Sequence, residues 1–240
     1  MRLIRGLHNI PSDFSGCVAT IGNFDGVHLG HQAILQQLKR QGEEHHLPTV
    51  VMMFEPQPRE FFAPDQAPAR LANMSEKLQD LASFGVDYVL CLPFNQKLRS
   101  MSADQFIQTI LLDGLKIRHL IIGDDFRFGC DRTGDYQLLQ QAGKQFGFSV
   151  EDTKTFELDG QRVSSTRVRE CLSADDLAMA ATLLGRPYRM SGRIGYGRQL
   201  GRTIGVPTAN VILQRNKLPM TGVYAVNVTQ IQVSACNESP

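Results

Sequence analysis

Two histidines three residues apart, His28 and His31, sit in "GNFDGVHLGH" between an apolar run and a helical pattern. A helix that begins near His28 aims free backbone N–H groups and the positive end of its dipole at whatever lies beyond it, which suits phosphate. Residues three apart share a helix face, so both imidazoles can donate hydrogen bonds to oxyanions as charge builds in a transition state. Gly22 lets the chain leave a strand, and Gly26 and Gly30 let it approach a ligand with no Cβ in the way. Asn23, Phe24 and Asp25 complete the turn. The plain alternative is a polar helix start carrying two solvated histidines. Metal ligation lacks a third ligand.

Three other stretches carry comparable chemistry. "VSSTRVRE" places Ser164, Ser165 and Thr166 ahead of Arg167 and Arg169 at a helix start. Hydroxyls, backbone N–H groups and a guanidinium together bind phosphate, although a simple helix cap is the commoner explanation of the hydroxyls. "GDDFRFG" offers Phe126 and Phe128 to sandwich a planar ring, with Asp124 or Asp125 to accept from ring N–H groups. Its competing reading is a pair of core aromatics under a loop. "GYGRQLGRTIGVPTAN" spaces Gly195, Gly197, Gly201 and Gly205 in an arc, with Arg202, and adds Thr208 and Asn210 as oxygen donors for Mg²⁺. It lacks the G-K-[ST] of a P-loop, and a ligand-free series of glycine turns would read the same way. "FEPQPRE", Phe54 to Glu60, stiffens a further loop with Pro56 and Pro58 beside Glu55.

These motifs need elements to hold them. "CVATIG", "TVVMMF", "VDYVLCL", "RHLIIG" and "FSVEDT" read as strands. "HQAILQQLKRQG", "SEKLQDLASFG", "SADQFIQTILLDG" and "DYQLLQQAGKQFG" carry helical spacing, with Ser75 and Ser102 as N-caps and Gly42, Gly85 and Gly114 as C-terminal stops. The alternation predicts an α/β fold: a parallel sheet with right-handed crossovers and helices on both faces. Ligands in such sheets bind beyond the carboxyl ends of the strands, which puts 22–31, 54–60 and 123–129 on one rim. From about residue 186, after the helical "SADDLAMAATLLG", glycines and short alternating runs suggest the start of an all-β domain. Two domains follow, 1–185 and 186–240. The second is short for a closed barrel, so it reads as incomplete.

Bulk properties bound the rest. A net charge of +1 and 42% hydrophobic residues argue against a global nucleic-acid or membrane footprint. Five scattered cysteines without a C-x-x-C pair suit free thiols in a reducing cytosol. The amino-terminal "MRLIRGLHNIPS" is no signal peptide, and no stretch approaches the roughly 18 apolar residues of a membrane span. A cytoplasmic protein is expected, with its oligomeric state open.

In their order, "GNFDGVHLGH", "FEPQPRE", "GDDFRFG", "VSSTRVR" and "GRTIGVPTAN" resemble the bacterial bifunctional riboflavin kinase/FMN adenylyltransferases, the prokaryotic FAD synthetases, from about residue 1 to Tyr224 or Val228. The resemblance implies a Rossmann-like HxGH nucleotidyltransferase domain that transfers AMP from ATP to FMN, followed by a β-barrel that phosphorylates riboflavin. ATP, FMN and riboflavin are the implied small-molecule partners, with Mg²⁺ as the implied metal. His28 and His31 would stabilise the α-phosphate, and Gly22, Asn23, Phe24, Asp25, Gly26 and Gly30 would shape the nucleotide turn. Ser164, Ser165, Thr166 and Arg169 would grip the triphosphate. Glu55, Pro56, Pro58, Asp125, Phe126 and Phe128 would lie at the flavin, and Gln57 stands where some relatives carry His. Gly197, Gly201, Arg202, Gly205, Thr208 and Asn210 would serve the kinase nucleotide and metal. The family's downstream glutamate base and closing strands have no match after Val228, so little or no kinase activity is expected. A nucleotidyltransferase with another phosphorylated acceptor, or a non-catalytic flavin or nucleotide binder, are the competing readings.

Overall fold

Six short strands form one parallel sheet whose central strands are apolar on both faces, which a doubly covered sheet accommodates. They are β1 (Arg2–Arg5), β2 (Cys17–Ile21), β3 (Thr49–Glu55), β4 (Tyr88–Pro93), β5 (Ile117–Ile122) and β6 (Ser149–Asp152), in the order β1-β4-β3-β2-β5-β6. In the register, Thr20 lies opposite Val51 of β3 on one side and Ile121 of β5 on the other. The computed structural model describes residues 1–123, 125–197, 203–206 and 208–230.

The helices are α1 (Leu29–His45), α2 (Pro58–Phe62), α3 (Met74–Ser83), α4 (Gln96–Arg99), α5 (Ala103–Phe106), α6 (Tyr136–Phe146), α7 (Ser165–Ser173) and α8 (Leu177–Leu184). α5 runs on into wider π-type turns over Ile107–Gly114. Alternate strand residues feed two cores. Val18, Val51, Met53 and Ile121 pack on Leu35 and Leu38 of α1 and Leu81 of α3. Cys17, Ala19, Met52 and Leu120 pack on Phe106, Ile110, Leu139 and Ala142 from the opposite face. The connection after β2 therefore leaves toward β3 on one face, and that after β5 leaves toward β6 on the other. Their divergence opens a crevice at the carboxyl ends of β2 and β5.

All five predicted strands are present, and β1 adds a sixth. The sequence hides it because four residues with two arginines look like a polar start; pairing of Leu3 and Ile4 with Val89 and Leu90 makes it a strand. A hairpin, β7 (Glu157–Leu158) and β8 (Gln161–Arg162), turns at Asp159-Gly160, both at positive φ. Two stop signals require correction. Gly42 lies inside α1, where a Cβ would meet Thr49 Cγ2 at 2.6 Å, and His46 takes the left-handed position instead. Gly114 ends the π-type turns without a positive φ, whereas Gly85 at φ +78 acts as expected. Asn73, not Ser75, caps α3, because its Oδ1 accepts from the Glu76 N–H. Ser102 caps α5.

A third core joins α7 and α8 through Val168, Leu172, Ala180 and Leu183, with Met220 from the C-terminal segment. That segment is strapped to α3. Arg215 pairs with Glu76, Arg186 and Arg189 both pair with Asp80, and the Ser191 N–H donates to Glu76. Within this segment, among the described residues, β9 (Arg193–Gly195) and β10 (Asn210–Ile212) pair antiparallel. No barrel closes among the described residues.

Candidate active site

The turn between β2 and α1 is held in an unfavourable conformation by buried anchors. Phe24 and Val27 sit at φ 46 and φ 42, and a β-branched residue rarely tolerates that region. Both side chains are buried, so the core over-determines the turn. Asp25 fastens it from beneath. Its carboxylate accepts from the Leu71 and Ala72 N–H groups at 3.0–3.1 Å and pairs with Arg169 Nη2 at 2.5 Å. Ser165 Oγ donates to the Asp25 carbonyl at 2.9 Å. The amino ends of α1 and α7 are thereby brought to one place, two positive dipole ends beside the crevice.

His28 is the N-cap of α1: its Nδ1 accepts from the His31 N–H at 3.3 Å. With Nδ1 an acceptor, the neutral ring carries its proton on Nε2, a donor toward the crevice. The rings of His28 and His31 stack at 3.7 Å between centroids, and Phe24 lies 4.9 Å from His31. Burial drives the His28 pKa down to about 4, with Arg162 and Arg169 acting in the same direction and Asp25 opposing. Burial, His28 and Lys77 push His31 well below the usual imidazole range. Both rings are neutral at pH 7. His31 Nδ1 is buried without a partner.

The other expected residues divide. Ser164 caps α7, accepting from the Arg167 N–H, so the plain capping reading of that hydroxyl holds. Arg169 is committed to protein, with Nε donating to the Ala69 carbonyl at 2.6 Å besides the Asp25 pair. The glycines need correction. A Cβ on Gly26 would meet Leu71 Cδ1 at 2.9 Å, one on Gly30 the His28 ring at 3.2 Å, and one on Gly22 the Phe24 ring at 3.0 Å. Protein, not ligand, fills the space they leave. The aromatic sandwich is also corrected. Phe126 and Phe128 stack on each other at 5.6 Å, closer than the roughly 7 Å that an intercalated ring requires. Phe128 is buried against Phe106, and exposed Asp125 pairs with Arg162 at 3.1 Å.

At the end of β3, Glu55 and Glu60 both bind Arg70, at 2.7 and 2.5 Å. Pro58 opens α2, and buried Gln57 caps it, leaving its Nε2 without a partner. An aromatic group unseen in the sequence stands on this rim, with Phe54, Phe61 and Phe62 packed edge-on around Phe94. Phe62 is 58% exposed. The four phenylalanines come from β3, α2 and the end of β4, so no local pattern announces them. In the C-terminal segment, Gly201 and Arg202 lie outside the described residues, as does Asp124. Thr208 and Asn210 are exposed, Gly205 has φ +76 with open space around it, and Gly197 adjoins the Asn210 amide.

The family model for FAD synthetase matches residues 10–167, and that for riboflavin kinase matches 184–237. The second match extends past Val228, where the motif resemblance had stopped. The bifunctional riboflavin kinase/FMN adenylyltransferase of Pseudomonas fluorescens is 57% identical over 228 residues, covering 95% of this chain and 73% of the relative. That of Escherichia coli (strain K12) is 54% identical over 229 residues, with the same coverage. A crystal structure described as a macrolide-efflux protein from Streptococcus pneumoniae superposes with a TM-score of 0.75 at 28% identity, covering 88% of this chain and 69% of that one. Among the described residues, no helix is long and apolar enough to cross a membrane.

Proposed function

The chain belongs to the bifunctional riboflavin kinase/FMN adenylyltransferase family, enzymes of FAD biosynthesis, and from that premise we propose how its residues divide the adenylyl transfer from ATP to FMN. The observation that carries the reading is the stacked, neutral His28–His31 pair at the amino end of α1, facing the amino end of α7. The FMN phosphate attacks the α-phosphorus of ATP in line, and pyrophosphate leaves. His28 Nε2–H and His31 donate to α-phosphate oxygens. The donors are preorganised by the capping bond and the packing against Phe24, so they strengthen as charge develops. Ser165, Thr166 and the free N–H groups of α7 hold the departing phosphates. Arg169 is a positioning residue: it fixes Asp25, and through Asp25 the histidine turn.

A bound Mg²⁺ would supply neutralisation of the triphosphate charge. Asp25 has its oxygens occupied by two amides and a guanidinium, so it would not be free to hold that metal. In the kinase segment, the exposed Thr208 and Asn210 are hard oxygen donors that would hold Mg²⁺. The flavin ring lies against the exposed Phe62 face, with Phe54 and Phe94 behind it. The domain boundary falls at Gly185, which ends α8 at φ +69. The enzyme works in the cytoplasm. FAD and pyrophosphate formation from ATP, Mg²⁺ and FMN tests the assignment. His28→Ala or His31→Ala lowers kcat on the order of 100-fold with the fold retained; unchanged turnover overturns it.

A further inference from the structure

Lys77 occupies a position that the motifs leave unexplained. It lies in α3 with 1% of its surface exposed. A buried ammonium ordinarily ends on a carboxylate or a carbonyl, because an unpaired one has lost its hydration for nothing. Among the described residues, Lys77 Nζ makes no hydrogen bond and no ion pair. The nearby carboxylates are already engaged: Asp25 by Arg169, and Glu55 and Glu60 by Arg70. Burial lowers the Lys77 pKa, and Asp25, Glu55 and Glu60 oppose that fall.

Helix register shows which way it faces. α1 and α3 cover the same face of the sheet and share one core through Leu35, Leu38 and Leu81. Lys77 lies one turn before Leu81, and His31 one turn before Leu35. Both helices start at the carboxyl rim of the sheet, so that turn toward their amino ends brings Lys77 and His31 up to the crevice together. The charge of Lys77 is one of the causes that hold His31 neutral. Two further buried nitrogens there lack partners, His31 Nδ1 and Gln57 Nε2.

We infer that Lys77 is a further phosphate-binding residue of the adenylyl-transfer site, its ammonium left unpaired toward His31 for a phosphate oxygen of the incoming substrate. The inference rests on the function proposed above. A purely structural role makes a different prediction. Without Lys77, three carboxylates would face two guanidiniums, so a mere counter-charge would lower stability when removed and leave ligand affinity alone.

Lys77→Met and Lys77→Arg, with Lys144→Met on the exposed face of α6 as control, separate the two. Binding of ATP–Mg²⁺ alone and of FMN alone is measured by calorimetry, and kcat and KM by FAD formation, at a temperature where circular dichroism shows each variant folded. Lys77→Met is expected to lose about 100-fold in kcat/KM and at least tenfold in affinity for one of the two ligands, with partial recovery in Lys77→Arg. The arm that loses affinity identifies whose phosphate is bound. Affinity and kcat/KM within about threefold of wild type, with a lowered Tm, overturn the inference in favour of charge balance. A wild-type chain that makes no FAD fails the functional reading instead, and the ATP-binding arm then decides Lys77 by itself.

Discussion

In the proposed role, His28 and His31 serve as neutral donors held in place by the fold. Neutrality has a cost that pH reveals. The unfolded chain protonates these rings near the ordinary imidazole pKa of 6.5, whereas folded His28 resists protonation down to about 4. Between those values the unfolded state binds more protons, so stability falls as pH drops from 6.5 toward 4 and is unaffected by these rings above 6.5. His28 contributes at most about 3 kcal/mol to that loss. A series of urea melts from pH 7.5 to 4 is expected to be flatter for a His28→Asn, His31→Asn variant than for the wild type. An equal slope would show that the rings protonate freely in the fold. Burial of this kind could not be read from "HLGH", because the spacing is the same for a solvated pair. Phe24 and the capping bond supply it.

At the level of elements, Asp25 is the tie. One carboxylate joins the β2–α1 turn, the entry to α3 through Leu71 and Ala72, and α7 through Arg169. Asp25→Ala leaves two amides unpaired and a mostly buried guanidinium without its counter-charge, a loss of about 3 kcal/mol or more. Chemical denaturation is expected to show it, together with reduced kcat at low temperature where the variant remains folded. Arg169→Lys is milder for stability, because an ammonium keeps the charge but cannot reach Asp25 and the Ala69 carbonyl together. A stability change under 1 kcal/mol in Asp25→Ala would mean that the turn holds itself. Strand and helix identities were legible from hydrophobic period and caps. The partner of Asp25 was not, since Leu71 and Arg169 lie 46 and 144 positions away.

Over the whole molecule, the C-terminal segment is anchored where it begins and open where it continues. Arg186, Arg189, Ser191 and Arg215 fasten it to Glu76 and Asp80 of α3. Limited proteolysis is therefore expected to spare the chain near residue 186 and to cut beyond Met220. Cleavage at 186 as the first event would contradict the strap. Between and past these ties, Ile194, Val211, Ile212, Val223, Val226 and Val228 are all exposed. The two-stranded ribbon among the described residues, with its apolar residues uncovered, does not make a stable β-domain on its own. The 240-residue chain is expected to form FAD from FMN while converting riboflavin to FMN only marginally with ATP and Mg²⁺. Robust FMN formation would show that the kinase half assembles.

The linear order of residues determined the alternating α/β architecture, the rim that carries the chemistry, and the histidine and hydroxyl motifs. Those depend on period, caps and spacing, which act within a few turns of chain. Only the tertiary structure decided that Gly26 and Gly30 make room for protein, that Phe126 and Phe128 fill each other's gap, and that Arg169 serves Asp25. It also decided that Lys77, three residues past a helix start with no motif around it, stands unpaired beside His31. Each of these turns on which distant side chains share a buried volume, and burial is a property of the packed chain.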